Sequence, residues 1–382
     1  MILHLQKVVG IAGAEHYLMA LLPALQQYGI EVGFLGLVPE YDYPPNLAFF
    51  EHLEDHGVKT SQVIVGEFPT PRAAFEVAKI SRRFGAAAIH SHLLFSDVVA
   101  VQARVFEPRL RVVSTKHGFR ESHMQKHSLS PNVDHDWYWV LAKATELFVE
   151  RSFAVSQGLQ QLYIHSGIAS SSMDVIYHGV LPGLHKCPSP LEGDAYRRSK
   201  VQIVVPGRLV PLKGQEFAIR AFRQVLEVIP HAHLILIGDG PSRNALEALV
   251  EGLQISNNVS FLGWRKDIMQ WMLNSDLAIV PSLGEGFGLV FLEAYQAGLP
   301  VVAFDVSAGN EIVEDGVTGL LVPLGDSAAM GTACLKILKD PKLGSAMKTR
   351  STELLKQRFS FERVVDETVD FYRRAGVLGD GP

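Results

Sequence analysis

The sequence predicts an α/β protein of two domains, each built on a parallel β-sheet. The 382 residues are long enough for two domains, at ~150 residues per domain. Short apolar stretches alternate with amphipathic stretches of helical length, as in parallel sheets covered by helices on both faces. The alternation stops once, in a stretch containing Pro and Gly, and then restarts. We therefore predict a first domain at 1–183, a linker at 184–200 and a second domain at 201–360.

The first half shows this alternation from its first residues. Its short apolar stretches predict buried strands, and the amphipathic stretches between them predict helices. The predicted strands are 1–8, 31–37, 58–65, 86–90, 110–115 and 151–155. The predicted helices include 15–28, 71–84 and 97–106.

The second half repeats the pattern without repeating the sequence. Its predicted strands are 201–205, 233–237, 259–262, 277–280, 301–303 and 320–322. Its predicted helices are 215–229, 242–253, 287–297, 327–339 and 343–357, followed by a last helix at 361–374. Ligands of open α/β sheets bind at the carboxyl ends of strands, so functional motifs are expected there.

Composition and charge exclude several function classes. The formal net charge of −5 gives no basic surface for a nucleic-acid partner. Two cysteines, Cys187 and Cys334, are too few for a disulfide framework and fit a reducing compartment. No stretch approaches the ~20 apolar residues of a membrane span, and the first residues lack a secretory signal. We expect a cytoplasmic protein.

The most informative motif is the glycine-rich stretch 281–293, where a predicted strand gives way to a helix. Its glycines let backbone amides approach a ligand, and the start of the helix attracts an anion. Glu285 lies in the turn and Glu293 two helical turns further on, so the two carboxylates can meet different groups of one ligand. A plain glycine turn followed by an ordinary helical glutamate would not explain why these features coincide.

A second motif opens the second half. Arg208 and Lys213 lie between a predicted strand and a helix, flanked by Gly207 and Gly214. Two cations near the start of a helix suit a phosphate or a diphosphate. Lysine and arginine are common on any surface. This motif therefore indicates a phosphate site only in combination with the glycine-rich motif.

Weaker signals follow three other predicted strands. Gly238 belongs to a glycine turn at 237–242, and Gly13 closes another at 10–13; neither completes a dinucleotide fingerprint. His117 directly follows a strand, where ligand-binding residues of α/β proteins lie. The histidines of 90–92 have a similar position, but we expect them to be core residues.

Candidate metal ligands are unconvincing. Asp134 and Asp136 could chelate a divalent cation, yet no similar acidic pair stands nearby. His123 and His127 have helical i, i+4 spacing, yet no third ligand accompanies them. Walker A, G-x-S-x-G and C-x-x-C patterns do not occur. We expect neither a cofactor nor a metal.

Together these motifs resemble family 4 of the retaining glycosyltransferases, and their order and spacing agree along nearly the whole chain. The matching segments are 13–15, His117, 154–157, 207–214, 238–241, 284–293 and 316–322. The resemblance implies the GT-B fold, in which two Rossmann-like domains face each other across a cleft. It also implies that the final stretch, 361–382, returns to the first domain.

The resemblance further implies a role for each candidate residue. The implied catalytic residues are His117, Arg208, Lys213 and Glu285, the two cations acting on the diphosphate and the other two on the donor sugar. The implied donor-binding residues are Gly13, Gly207, Gly238, Trp264, Arg265, Gly286, Phe287, Gly288, Leu289, Val290 and Glu293. Among these, Glu293 would hold the ribose, Trp264 or Arg265 would contact the base, and the amides of 287–290 would meet sugar and phosphates.

The resulting hypothesis is a retaining, metal-independent hexosyltransferase of polysaccharide biosynthesis. Its partners would be a nucleotide-sugar donor and a glycan or lipid-linked acceptor. UDP-, GDP- and ADP-sugars all fit the residues, and a UDP-hexose such as UDP-glucose is our preferred donor. Two alternatives stay open: a nucleotide-sugar epimerase of the same architecture, and a sugar- or nucleotide-binding protein without turnover.

Two stretches of the first half suggest peripheral contact with the inner face of the cell membrane, or with a lipid-linked acceptor. One is the aromatic stretch 134–147, with Phe148 directly after it, and the other is the arginine-rich stretch 71–84. The simpler interpretation is a core stripe and a solvated charged face.

Overall fold

A computed structural model describes residues 1–10, 13–40, 47–119, 135–182 and 201–379. The chain divides into two compact units. Within the described residues, unit 1 comprises 1–119, 135–181 and 361–379, and unit 2 comprises Pro182 and 201–360. The predicted linker at 184–200 lies outside the described residues, as do His123, His127, Asp134 and Cys187.

Unit 1 is built on a parallel sheet of seven strands in the order β3-β2-β1-β4-β5-β6-β7. The strands are β1 (Ile2–Lys7), β2 (Val32–Pro39), β3 (Lys59–Val65), β4 (Ala88–His92), β5 (Arg111–Lys116), β6 (Arg151–Ala154) and β7 (Asp174–Val175). The inner strands are buried along almost their whole length because helices cover both faces. This buried environment explains their continuous apolar sequences.

Seven helices of unit 1 lie in its described part. They are α1 (Gly13–Gln27), α2 (Leu47–Asp55), α3 (Pro71–Phe84), α4 (Leu93–Phe106), α5 (Trp137–Glu146), α6 (Gln157–His165) and the late helix Phe361–Arg374, numbered α14 in chain order. Side-chain caps start several of them: Thr70 accepts from the amide of Ala73 and Asp136 from that of Trp139. Asp136 therefore caps the start of α5.

The helix α14 belongs to the core of unit 1, although it ends the chain. Val364, Val365, Phe371 and Tyr372 are buried in the same apolar cluster as Leu18 of α1. With buried Thr368 between the two pairs, these residues recur every three or four positions, so one face of α14 is buried and packs against the sheet layer. The cluster thus joins the first and last helices of the chain.

Unit 2 is built on a parallel sheet of six strands in the order β10-β9-β8-β11-β12-β13. The strands are β8 (Gln202–Pro206), β9 (His233–Ile237), β10 (Val259–Phe261), β11 (Leu277–Val280), β12 (Val301–Phe304) and β13 (Gly319–Val322). The helices are α7 (Gln215–Val228), α8 (Arg243–Gly252), α9 (Ile268–Leu273), α10 (Leu289–Gln296), α11 (Gly309–Ile312), α12 (Ser327–Lys339) and α13 (Pro341–Arg358).

The predicted elements all occur, some with the predicted ends, such as the helix 71–84, and others with shifted ends. The strand predicted at 86–90 runs from 88 to 92, so both histidines of 90–92 lie inside β4 and are fully buried. The helix predicted from 97 begins at Leu93, which has a φ of +67°. The helix predicted from 287 begins at Leu289 because Gly288 adopts a left-handed conformation at its N-cap.

Short elements escaped the sequence analysis. The helices α2, α6, α9 and α11 and the strand β7 span between two and nine residues. A helix of nine residues or fewer has at most about two and a half turns, and a two-residue strand has no alternation, so neither shows a clear period.

Candidate functional site

The candidate site of unit 2 lies where its strand order reverses. From β8 the chain moves to β9 and β10 on one side, and then returns to β11 on the other side. The loops after β8 and β11 therefore leave the sheet in different directions and open a crevice at its carboxyl edge. The 207–214 loop follows β8, and the glycine turn at 284–288 follows β11.

Lys213 and Glu285 meet at this edge. The ammonium Nζ of Lys213 lies 2.5 Å from Oε1 of Glu285, and the same oxygen accepts from the hydroxyl of Ser282 at 2.7 Å. Glu285 is 8% exposed, so its carboxylate needs both donors. The arrangement fixes a cation and a carboxylate side by side in front of the glycine turn.

Close backbone contact holds the two loops together. The amide of Leu283 donates to the carbonyl of Leu212 at 2.8 Å. Gly214 has a φ of +62°, and a Cβ at this position would lie 2.1 Å from the carbonyl oxygen of Pro281. Only glycine permits both the left-handed conformation and this approach.

A second close approach joins the loops after β8 and β9. A Cβ on Gly238 would lie 2.1 Å from the carbonyl oxygen of Gly207, and Gly238 has a φ of +143°. The amide of Gly238 donates to Gly263 at 2.9 Å, directly before Trp264. The turns that carry the predicted donor-binding glycines and Trp264 are thus neighbours along one edge.

Arg208 is exposed, and its backbone carbonyl accepts from Nε2 of Gln215 at 2.8 Å. Gln215 is buried at the start of α7 and orders the loop. The guanidinium of Arg265 pairs with Asp267 at 2.5 and 2.7 Å, and Trp264 is 66% exposed. The exposed indole offers a face for stacking on a base.

The helix α10 carries the remaining predicted residues of this site. Gly288 is its N-cap, and Leu289 and Val290 form its first turn, where backbone amides have no acceptor within the helix. The side chain of Phe287 is buried, with its ring 5.9 Å from that of Phe359, so a ligand would meet its backbone. Gly286 lies in the preceding turn.

Glu293 is half-buried on the second turn of α10. Burial raises the pKa of its carboxyl to about 7, because the charged form loses solvation. Near neutral pH this side chain can therefore be either a protonated donor or an ionised acceptor, which suits contact with hydroxyl groups.

The two predicted residues of unit 1 also follow strand ends. Gly13 begins α1 after β1, and His117 directly follows β5. Both ring nitrogens of His117 are hydrogen-bonded within unit 1, Nε2 to His92 at 2.9 Å and Nδ1 to His178 at 3.4 Å. Its role toward a donor sugar stays a prediction, and a hydroxyl that bound to Nδ1 would have to displace the longer of these bonds.

Several residues of these edges were not predicted. Ser282 lies inside the predicted motif, and its hydroxyl could have been noted there. Gln6 donates to Glu15 at 2.5 Å below the first glycine turn, and both side chains are buried. The partnership of His92 with His117 depends on strand pairing, which no local pattern reveals.

One group of potential metal ligands occurs among the described residues. The imidazoles of His4, His90 and His92 each offer a nitrogen, and these atoms lie within 4.8 Å of one another. All three side chains are fully buried in unit 1. The expectation that no metal is bound stays a prediction.

Comparison with known proteins decides the family. The model of Glycosyltransferase Family 4 matches residues 11–182, and the model of Glycosyl transferases group 1 matches residues 200–340. Together the two matches cover most of both units.

The chain belongs to the family 4 glycosyltransferases. Among curated relatives of this family 4 chain, the N-acetyl-alpha-D-glucosaminyl L-malate synthase of Bacillus anthracis is 32% identical over 161 residues, 42% of each chain. The UDP-Gal:alpha-D-GlcNAc-diphosphoundecaprenol alpha-1,3-galactosyltransferase of Escherichia coli is 26% identical over 273 residues, 68% of each chain. The match spans less than half the length of several curated relatives.

The fold is GT-B. The crystal structure of Anabaena HepE in complex with UDP-glucose has a TM-score of 0.78 and 24% identity, and covers 98% of this chain and 99% of HepE. At this identity the likeness concerns the fold, which agrees with the two Rossmann-like sheets described above. Within the described residues, no helix is both long enough and apolar enough to cross a membrane.

Proposed function

We propose that this chain is a retaining glycosyltransferase that moves a hexose from a nucleotide-sugar to a glycan or lipid-linked acceptor. The Lys213–Glu285 pair beside the glycine turn carries the proposal. A fixed cation and the amides of a helix start suit a phosphate, and a carboxylate suits sugar hydroxyls. Such a combination matches a sugar joined to a diphosphate.

The proposed reaction uses these groups on the leaving phosphate. The bond between sugar C1 and the diphosphate oxygen breaks, and its electron pair stays on that oxygen. Lys213, Arg208 and the amides at the start of α10 would stabilise the charge as it develops. The acceptor hydroxyl bonds to C1 on the face that the phosphate leaves and passes its proton to that phosphate, so no protein nucleophile is needed.

UDP-glucose or another UDP-hexose is the donor that we propose. HepE, which shares the fold, was crystallised with UDP-glucose, and the name of the Escherichia coli relative specifies UDP-galactose. Exposed Trp264 and half-buried Glu293 would contact the uracil and the ribose. We propose that the reaction needs no metal, because Lys213 and Arg208 supply positive charge beside the glycine turn.

A lipid-linked acceptor would bring unit 1 to a membrane surface. Exposed apolar side chains project from its helices α3, α4 and α5 and the residues after α5: Phe75, Phe106, Trp137, Val140, Leu147 and Phe148. The rings of Phe75 and Phe106 lie 5.4 Å apart, and Arg104 donates to the carbonyl of Phe148. Apolar residues interleaved with cations fit an anionic membrane surface at the cytoplasmic face.

A donor panel in EDTA tests the proposal. UDP-, GDP- and ADP-linked hexoses are mixed with the protein, and thermal shift reports binding while released nucleoside diphosphate reports slow hydrolysis. One donor that stabilises the protein and is cleaved in EDTA supports a metal-independent transferase. Conversion of the sugar without release of nucleotide would instead establish an epimerase, and binding without any turnover a binding protein.

A further inference from the structure

A chain of hydrogen bonds crosses the interior of unit 1. His4 on β1 and His90 on β4 are direct partners in the strand register, and His92 follows two residues later on the same face. Nε2 of His90 bonds to the hydroxyl of Thr115 at 2.6 Å, and its Nδ1 bonds to the hydroxyl of Tyr372 at 2.7 Å. The same tyrosine hydroxyl bonds to Nε2 of His4 at 3.1 Å.

The line of hydrogen bonds continues to His117, a predicted site residue of unit 1. Nδ1 of His4 bonds to Nε2 of His92 at 3.0 Å, and Nδ1 of His92 bonds to Nε2 of His117 at 2.9 Å. Nδ1 of His117 then bonds to Nε2 of His178 at 3.4 Å. Five imidazoles, one phenol and one threonine hydroxyl are therefore linked in a single line.

The hydrogen bonds themselves limit the charge on these rings, because each bond between two ring nitrogens needs one N–H and one bare nitrogen, so two linked rings cannot both be charged. Burial lowers the pKa of His4 and of His117 to about 3, and holds those of His90, His92 and His178 well below the usual range. A neutral imidazole carries one N–H and one bare nitrogen. Each ring in the line therefore donates on one side and accepts on the other.

Neutral rings in a line constrain one another. If Tyr372 donates to Nε2 of His4, then His4 must donate from Nδ1 to His92, which must donate from Nδ1 to His117. His90 then donates from Nδ1 to the same hydroxyl. Only two arrangements satisfy every link and every donor: all five histidines protonated on Nδ1, or all five on Nε2. A mixture would place two donors or two bare nitrogens face to face, or would let both His90 and His4 donate to the oxygen of Tyr372 and leave its buried proton without an acceptor among the described residues.

We propose that Tyr372, His4 and His92 are positioning residues that set the tautomer of His117 through this line. The tautomer decides whether Nδ1 of His117 offers a proton or a lone pair. A metal bound by His4, His90 and His92 would need a bare nitrogen from each ring and would replace links of the line, so it is the competing arrangement.

Histidine ¹⁵N spectra of the whole protein test the line without any substrate. These spectra show which nitrogen of each neutral ring is protonated. We expect all five rings to report one common tautomer, or one common ratio of the two. Different tautomers among the five in the wild type would overturn the proposal, as would a stoichiometric metal ion retained by the purified protein.

Tyr372→Phe cuts the line between His90 and His4. In this variant the ratio of the two tautomers at His90 should become independent of the ratio shared by the other rings, which are those of His4, His92, His117 and His178. The matched control is Tyr17→Phe, because the ring of Tyr17 packs 5.5 Å from that of His117 while its hydroxyl bonds to Thr368, outside the line. The common ratio should survive in the control; an unchanged common ratio in Tyr372→Phe would contradict the proposal.

The effect on catalysis rests on the proposed function and has its own readout. If His117 contacts the donor sugar, Tyr372→Phe should lower kcat by about 10-fold, as loss of a partner that orients a functional histidine does, and leave the donor KM unchanged. Failure of the wild type to transfer sugar would refute the function but not the line, whereas a split of tautomers in the wild type would refute the line but not the function.

Discussion

Lys213 is the residue on which the proposed chemistry depends most directly. Its ammonium pairs at 2.5 Å with the carboxylate of Glu285, which lies in the turn that leads into α10. Replacing it by alanine removes a preorganised charge that would act on the leaving phosphate, so we expect Lys213→Ala to lower transfer by about 100-fold or more. Initial rates with the donor found in the panel measure this.

The matched control for Lys213→Ala is Lys336→Ala. Lys336 is exposed on α12, and its substitution removes the same charge from the same unit. Equal losses in both variants would point to net charge rather than to a placed cation, and rates near wild type in Lys213→Ala would refute the mechanism.

We expect the affinity for the nucleoside to depend on pH through the carboxyl group of Glu293. Burial raises the pKa of its carboxyl to about 7. A ribose that donates hydroxyl protons favours the ionised form, so its binding lowers that pKa. The affinity for the nucleoside should therefore be low when the pH lies below the pKa. It should rise by up to tenfold for each pH unit as the pH approaches the pKa, and it should level off above the pKa.

Calorimetric titration with uridine between pH 6 and 8 measures this dependence, since uridine lacks phosphates that titrate in the same range. Glu293→Gln keeps the size of the side chain and removes its ionisation, so its affinity should be flat over the interval. A rise of equal size in the variant would assign the dependence to another group.

At the scale of elements, the loops after β8 and β11 must touch for Lys213 to reach Glu285. Gly214 permits the contact, because a Cβ there would lie 2.1 Å from the carbonyl oxygen of Pro281. We expect Gly214→Ala to separate the loops, to destabilise the protein by at least the ~1–2 kcal/mol that a left-handed conformation costs a residue with a Cβ, and to weaken donor binding.

Gly316→Ala is the control for that variant. Gly316 has a φ of +74° in the same unit but faces open space, so it shares the conformational cost without the clash. Urea denaturation and donor binding distinguish the two. If both variants lose the same stability and both bind the donor normally, the contact between the loops is not needed.

The helices α3, α4 and α5 provide a test of membrane contact. Leu147 and Phe148 are 74% and 58% exposed after α5. Replacing both by serine should reduce sedimentation with anionic phosphatidylglycerol vesicles several-fold, because each buried apolar side chain contributes about 1.5–3 kcal/mol.

Tyr28→Ser is the control for vesicle binding. Tyr28 is half exposed like Phe148, but it lies beside Asp366 and Glu362, whose charges oppose an anionic surface. Loss of binding in both variants would indicate nonspecific adsorption, and no loss in the double variant would place any membrane contact elsewhere.

At the scale of the whole molecule, the chain ends in the unit where it began. The helix α14 buries Phe371, Tyr372, Val364 and Val365 in the core of unit 1. Deleting 361–382 would open a large cavity there, since one buried Phe→Ala change already costs about 3–5 kcal/mol. We expect unit 1 to lose its cooperative fold and unit 2 to keep its own.

Hydrogen exchange followed by mass spectrometry measures the two units separately. In the truncated protein, peptides of β1 and β4 should exchange quickly, whereas those of β8 and β11 should stay protected. Protection retained in β1 would show that α14 is dispensable, and protection lost in β8 would show that the units depend on each other for folding.

The sequence by itself determined the two α/β units and most of the candidate site of unit 2. Parallel strands that are buried on both faces are continuously apolar, so their positions can be read directly. The residues of this site lie in short motifs that each follow a strand, such as 207–214 and 284–293. Because parallel strands end at one edge, local motifs were enough to predict a common site.

Only the tertiary structure decided which side chains are partners. Lys213 and Glu285 are 72 residues apart, and His90 and Tyr372 are 282 apart. No local sequence pattern predicts either pair. Lys213 meets Glu285 because the strand order makes β11 a neighbour of β8, and His90 meets Tyr372 because α14 returns to unit 1. Strand order and long-range packing arise from burial of the whole apolar surface, which no single segment of the sequence contains.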